Sequence, residues 1–146
     1  MTSEPVVSAS ELVCEYGAVS ALRGISVAIE PGTVVAVVGP NGGGKSTLLQ
    51  TLAGVATPTN GTVRYPMTED GHPVGYLPQS LHPRADLTVA ETLAYYDRLV
   101  AGGPAPASLL RQVGLAAVSG RKVAALSGGM RRLLGVAVAA IGDPDL

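Results

Sequence analysis

Two segments near the N-terminus, Val6 to Tyr16 and Ser20 to Glu30, alternate in part between apolar and polar positions and carry β-branched residues. That is the period of a half-buried strand. Pro31-Gly32 then turns the chain into Thr33-Val34-Val35-Ala36-Val37-Val38, a short, almost uninterrupted apolar run of the kind a buried strand shows. From Lys45 the pattern changes to a short helix that Gly54 closes, followed by a loop from Ala56 to Gly61 and strands at Thr62 to Tyr65 and Val74 to Leu77. Thr88-Val89-Ala90-Glu91 has the spacing of a capping box and predicts a helix to about Val100. Gly102-Gly103-Pro104 breaks the chain, Ala107 to Val113 predicts a second short helix, and Ser127 opens a third running toward Ile141. No internal repeat or low-complexity linker divides this order.

Composition changes the picture in three ways. At 146 residues the chain has room for one domain, and 47% hydrophobic residues with no Phe or Trp predict an aliphatic core. The net charge of −1 is spread without a basic face, with 3 basic against 6 acidic residues before Pro73 and 7 against 5 after it; neither half suits nucleic acid or an anionic lipid surface. A lone Cys14 rules out an internal disulfide and suits a reducing compartment, most simply as a small buried residue on the first strand. The opening MTSEPVVSAS lacks the basic n-region of a secretion signal, and the longest apolar run, Leu133 to Gly142, is shorter than the roughly 20 residues a membrane span needs. Any membrane link is therefore expected through a partner. His72 and His82 stand near prolines with no partner at metal-ligand spacing and read as surface histidines.

Chemistry enters at Gly39 to Thr47, where GPNGGGKST completes the pattern G-x-x-x-x-G-K-[ST] directly after the apolar run. A strand that ends in a glycine-rich turn and reopens as a helix presents backbone N–H groups and the positive helix end to a polyphosphate. Gly39, Gly42, Gly43 and Gly44 let the backbone wrap closely, Lys45 adds a mobile positive charge, and Ser46 is the hydroxyl expected on a Mg²⁺ bridging the same phosphates. Nucleotide binding follows, though not which nucleotide. Leu126-Ser127-Gly128-Gly129-Met130 repeats the physics, with a serine cap and two glycines at the start of the last predicted helix. By itself this is an ordinary capped helix; downstream of a phosphate loop it reads as a second anion-binding terminus.

In their order these residues resemble the ATP-binding subunits of ABC transporters across the whole chain. Glu15-Tyr16-Gly17 is similar to the family's adenine-stacking aromatic, Ala21 to Val27 and Pro31-Gly32 to the strand and turn before the phosphate loop, and Gly75-Tyr76-Leu77-Pro78-Gln79 to the glutamine loop. Pro40 to Leu49, with Leu52-Ala53-Gly54 and Pro58-Thr59, is close to the family pattern, departing only at Gly43, where alanine is usual. Met130 stands where the signature commonly has glutamine, and Met130-Arg131-Arg132-Leu133 with Leu87 to Leu93 resembles drug-export and nodulation-type members, which favours export. Outside this context Tyr16 would be a half-buried strand aromatic, Gln79 a solvated loop amide, and Arg131 and Arg132 a solvated helix face. The last of these readings is retained.

The resemblance implies an α/β fold of the P-loop NTPase (ABC ATPase) type, with an N-terminal antiparallel β subdomain, an incomplete parallel core sheet and a helical subdomain. One domain would fill residues 1–146, the β subdomain and loop core up to about 80 and the helical part from about 81 to 135. ATP would lie on Tyr16 and on Gly39, Pro40, Asn41, Gly42, Gly43, Gly44, Lys45, Ser46 and Thr47, and, from a second subunit in a head-to-tail dimer, on Ser127, Gly128 and Gly129. Mg²⁺ would meet Ser46 and Gln79, with Lys45 and Gln79 serving catalysis and Gln79 coupling to a transmembrane permease at the cytoplasmic face of the membrane. The family's aliphatic strand with its catalytic carboxylate, and its switch histidine, are expected after Leu146, so Asp143 and Asp145 are not the base. The intact protein is then an ATPase, and residues 1–146 alone are not. Chromosome-maintenance ATPases are disfavoured, because Gln79 and Ser127 are separated by only 48 positions with no heptad run. A translation-type ABC ATPase and a non-catalytic nucleotide-binding module remain the alternatives.

Overall fold

A computed structural model describes residues 4–66, 74–100 and 103–146, so His72 lies outside the described residues. The chain divides into two compact units, one formed by residues up to Val74 together with Asp145 and Leu146, the other by Gly75–Pro144.

The first unit is built on strands β1 (Val7–Tyr16), β2 (Val19–Ile29) and β3 (Asn60–Arg64), joined as an antiparallel sheet in the order β2-β1-β3. Gly17, at φ 60°, allows the tight return from Tyr16 to Val19, and the register runs from Tyr16 opposite Val19 to Val7 opposite Ile29. Inward positions Val7, Ala9, Leu12, Cys14, Leu22 and Ile29 are buried, which is what their alternation predicts. The alternation is only partial because β1 bulges between Ala9 and Leu12, with Glu11 at φ 50°. Ser26 holds the bulge: its hydroxyl accepts from the Glu11 N–H at 2.9 Å and donates to Glu11 Oε1 at 3.1 Å. β3 starts two residues earlier than expected because the loop before it is pinned to β1, Thr59 N–H donating to the Val13 carbonyl and Thr59 Oγ1 accepting from the Glu15 N–H.

Helix α1 (Lys45–Leu52) packs on this sheet through Thr51 and Leu52. Thr51 is buried yet satisfied: its hydroxyl donates to the Thr47 carbonyl at 2.8 Å and lies 3.5 Å from Cys14 Sγ. Gly54, at φ 70°, closes the helix as expected, and Tyr65 Oη donates to the Leu52 carbonyl. The strand expected at Thr33 to Val38 forms no ladder among the described residues, and Val34 and Val38 are 100% and 87% exposed. Val74 to Leu77 also carries no ladder. A strand exists by virtue of the neighbour it bonds, so both expectations are corrected: the described residues contain an antiparallel sheet and no parallel one.

The second unit is helical: α2 (Val89–Asp97), α3 (Pro106–Gln112) and α4 (Gly128–Ala139), with 3₁₀ turns at Ala116–Val118 and Val123–Ala125 that the apolar pattern does not show. Val89, Leu93, Leu109, Leu110, Leu115, Val123, Leu126, Leu134, Ala137 and Ile141 form one aliphatic core. The segment between the 3₁₀ turns runs against the start of α2, where Lys122 bridges Thr88 and the carbonyls of Arg121 and Ser119 accept from Val89 and Ala90 at 3.0 and 2.9 Å. Gly135 lets Leu77 lie against the middle of α4, since a Cβ there would stand 2.7 Å from Leu77 Cδ1.

Candidate nucleotide-binding site

A helix start leaves its first N–H groups without intrahelical partners, and what becomes of those groups separates the helices of this chain. At α2 they are consumed. Thr88 Oγ1 accepts from the Glu91 N–H at 3.2 Å, Glu91 Oε2 accepts from the Thr88 N–H at 2.8 Å, and the Val89 and Ala90 N–H groups are taken by the carbonyls just described. Glu91 also fills the positive end of the helix, and these bonds, the Thr88 N–H first, hold its carboxyl below the ordinary range.

Helix α1 is open instead. Its cap residue is Gly44, left-handed at φ 80°, with no side-chain cap and no acidic residue in the first turn. The N–H groups of Lys45, Ser46 and Thr47 find no acceptor among the described residues. Gly44 is required twice over: by its φ, and because a Cβ there would meet the Ala21 carbonyl and stand 3.1 Å from Leu22 Cδ2. Gly42 has the same φ, 79°, with open space around it. At Gly43, where the N–H donates to the Pro40 carbonyl at 3.2 Å, a methyl group would lie 3.1 Å from that same oxygen, so glycine leaves the turn unforced. Lys45 Nζ donates to the carbonyls of Gly39 and Pro40 at 2.9 and 2.6 Å, which keeps the ammonium over the loop. Asn41, Gly42 and Ser46 are exposed beside it. Tyr16, 56% exposed at the end of β1, belongs to this same unit, and Gly42 and Gly43 line a cleft of about 320 Å³ with Ser20 to Arg23 and Ile25 of β2.

Helix α4 is the second open start. Ser127 Oγ accepts from the Met130 N–H at 3.2 Å, which leaves its own proton to donate, while Gly128 and Gly129 are exposed with nothing within 4 Å of a Cβ built on either. Their N–H groups have no acceptor among the described residues, and no acid stands in the first turn. Met130 is half-buried against the helical core, a packing role that its spacing in the sequence does not disclose. Arg131 is also more than a solvated helix face: its guanidinium donates to the Leu126 carbonyl at 2.7 Å. Gln79 is exposed and lines a cleft of about 420 Å³ with Gly128, Arg131 and Arg132. His82 is exposed, and no group of three His, Cys, Asp or Glu among the described residues could hold a metal.

Three consecutive open N–H groups at the start of α1, backed by a lysine and a glycine-rich turn, have the form of a phosphate-binding loop; α3 is also uncapped but keeps only the Ala107 N–H open, since Pro106 has none and Ser108 donates to the Ala105 carbonyl. The ABC transporter family model matches residues 22–146, and the chain belongs to that family. It is 40% identical over 144 residues to the zinc import ATP-binding protein ZnuC of Roseobacter denitrificans, covering 97% of this chain and 54% of that protein. It is 36% identical over 157 residues to the Nod factor export ATP-binding protein I of Ralstonia nicotianae, covering 99% and 49%. The chain thus spans about half the length of the curated relatives it matches. A nucleotide-free ATP-binding cassette from an ABC transporter superposes with a TM-score of 0.81 at 23% identity, covering 96% of this chain and 66% of that one, a likeness of fold. Import and export proteins both match, with zinc import proteins at 40% and 38%. The expected preference for export, read from Met130 to Leu133 and Leu87 to Leu93, is therefore not supported.

Proposed function

We propose that this chain is the ATP-binding part of a membrane transporter, which couples MgATP binding and hydrolysis to solute movement through a transmembrane permease partner. One observation carries the reading: α1 presents three consecutive open N–H groups beside Lys45, and α4 presents two beside an exposed Ser127 hydroxyl, whereas α2 closes its own start and α3 offers a single N–H with no polar side chain at its cap. The α1 end grips the β- and γ-phosphates through Lys45 and the N–H groups of Gly44 to Thr47, and Tyr16 offers its ring to the base. The α4 end, with Ser127, Gly128 and Gly129, receives the γ-phosphate held by a second subunit, in a head-to-tail dimer that buries one nucleotide per loop. The residues of the loop fit a magnesium nucleotide, since Ser46 offers an exposed hydroxyl next to three open N–H groups. Mg²⁺ supplies charge neutralisation between the phosphate oxygens when bound. Asp143, at φ 55°, and Asp145 are not assigned as the base that hydrolysis requires. No helix among the described residues is long and apolar enough to cross a membrane, so a place at the cytoplasmic face comes through the permease.

The test uses the intact protein with its membrane partner. Lys45→Ala should abolish high-affinity ATP binding and transport. Ser127→Ala should leave ATP binding to the separate subunit intact and weaken ATP-driven dimerisation, read as mass in solution. A Ser127→Ala protein that dimerises and transports like wild type would leave a nucleotide-binding module without the trans contact, and would overturn the proposal.

A further inference from the structure

We infer that Arg131 is a positioning residue for the phosphate-binding end of α4, aiming N–H groups that it does not itself supply. The inference rests on the reading of that end as the trans γ-phosphate site. The Arg131 guanidinium donates to the Leu126 carbonyl at 2.7 Å, and the Arg131 backbone N–H donates to the Ser127 carbonyl at 2.9 Å. One residue therefore holds two consecutive carbonyls. In a planar trans peptide the carbonyl and the following N–H point in opposite directions. Drawing the Leu126 oxygen toward Arg131 turns the Ser127 N–H away from it, and drawing the Ser127 oxygen into the helix turns the Gly128 N–H outward. Besides the Ser127 hydroxyl, which accepts from the Met130 N–H at 3.2 Å, the turn has no side chain to fix it, because Gly128 and Gly129 add none. Buried Leu126 anchors one side, so rotation about the peptide that follows it is the freedom left, and the charged donor removes it. The backbone bond belongs to any helix; the side-chain bond is particular to arginine at this position.

The experiment compares the intact protein with Ser127→Ala, Arg131→Ala, Arg131→Lys and the double variant Ser127→Ala/Arg131→Ala. Nucleotide affinity of the separate subunit, ATP-driven dimerisation and steady-state ATPase in the assembled transporter are measured for each. Arg131→Ala should leave nucleotide affinity unchanged and weaken dimerisation and kcat by about tenfold, the loss expected for one charge-assisted hydrogen bond. Arg131→Lys, which keeps a cationic donor, should recover most of that loss. The effects of Ser127→Ala and Arg131→Ala should be strongly non-additive, since one acts through the other. Additive losses, or equal losses in nucleotide affinity, would show a general stabilising role and overturn the inference. Should Arg131→Ala fail to fold, Arg131→Lys decides alone, wild-type dimerisation supporting the inference and a loss like that of Ser127→Ala overturning it. A Ser127→Ala protein without any defect would refute the phosphate reading of α4, whereas a Ser127→Ala defect beside a silent Arg131→Ala refutes only the role of Arg131.

Discussion

Gly42 and Gly44 share a left-handed backbone, φ 79° and 80°, but only one is crowded, so replacing each by alanine separates two effects that usually travel together. Gly42→Ala forces an L-residue into the left-handed region with open space around the new methyl group; that alone costs about 1–2 kcal/mol. Gly44→Ala pays the same conformational term and also drives the methyl group into the Ala21 carbonyl and Leu22 Cδ2. Forcing atoms into an occupied space adds about 1–3 kcal/mol, and backbone oxygen is a harder obstacle than a side-chain end. Gly44→Ala should therefore lie beyond Gly42→Ala by a factor of about ten or more in ATP affinity, each 1.4 kcal/mol being tenfold. Part of the loss can appear as a lower unfolding midpoint if the loop holds its shape and the sheet gives way. The assay is ATP titration of the intact protein together with urea unfolding of both variants. Equal losses for the two, in both measurements, would refute the claim that β2 and the loop meet at Gly44.

Further outcomes follow from the helical unit. Leu134 is fully buried in α4, and Leu134→Ala should lower unfolding stability by about 2–5 kcal/mol in urea denaturation. Glu91 is held below its ordinary value of 4.5, so its contribution is complete above that value and is lost as pH falls through the lower folded-state value. Accordingly, Glu91→Gln should melt below wild type at neutral pH, and the gap in Tm should close as pH drops below 4.5, as thermal scans across that range will show. Thr88→Ala removes the other half of the box and should lower stability by about 1 kcal/mol, measured the same way.

Where local chemistry decides the structure, the sequence was a sufficient guide. The box at Thr88 and Glu91, the cap at Ser127, the glycine stop at Gly54 and the buried Cys14 all depend on neighbours within a few positions or on strong alternation. The two expected strands that carry no ladder fail for the opposite reason, since a ladder needs a partner segment and hydrophobicity alone does not supply one. The bulge at Glu11 was hidden because a single extra residue moves the alternation to the other face, which reads as noise. Arg131 escaped because its partner carbonyl lies five residues back, outside the backbone helix pattern, and arginine on an exposed helix face is ordinarily solvated. The preference for export, read from Met130 to Leu133 and Leu87 to Leu93, finds no support in relatives that include zinc import and Nod factor export proteins.

Cys14 is the chain's single thiol, and it lies 2% exposed against Thr51 of the helix that begins at the phosphate loop. A thiol reagent can reach it only through a local opening of this core, and α1, which lays Thr51 against the thiol, is part of what must open. The rate of its modification is thus a clock for that local opening, readable in the unaltered protein with no label added. A ligand that grips the loop slows the clock in proportion to how far it favours the closed state, so the molecule carries its own gauge of occupancy at the far end of the helix from the phosphates.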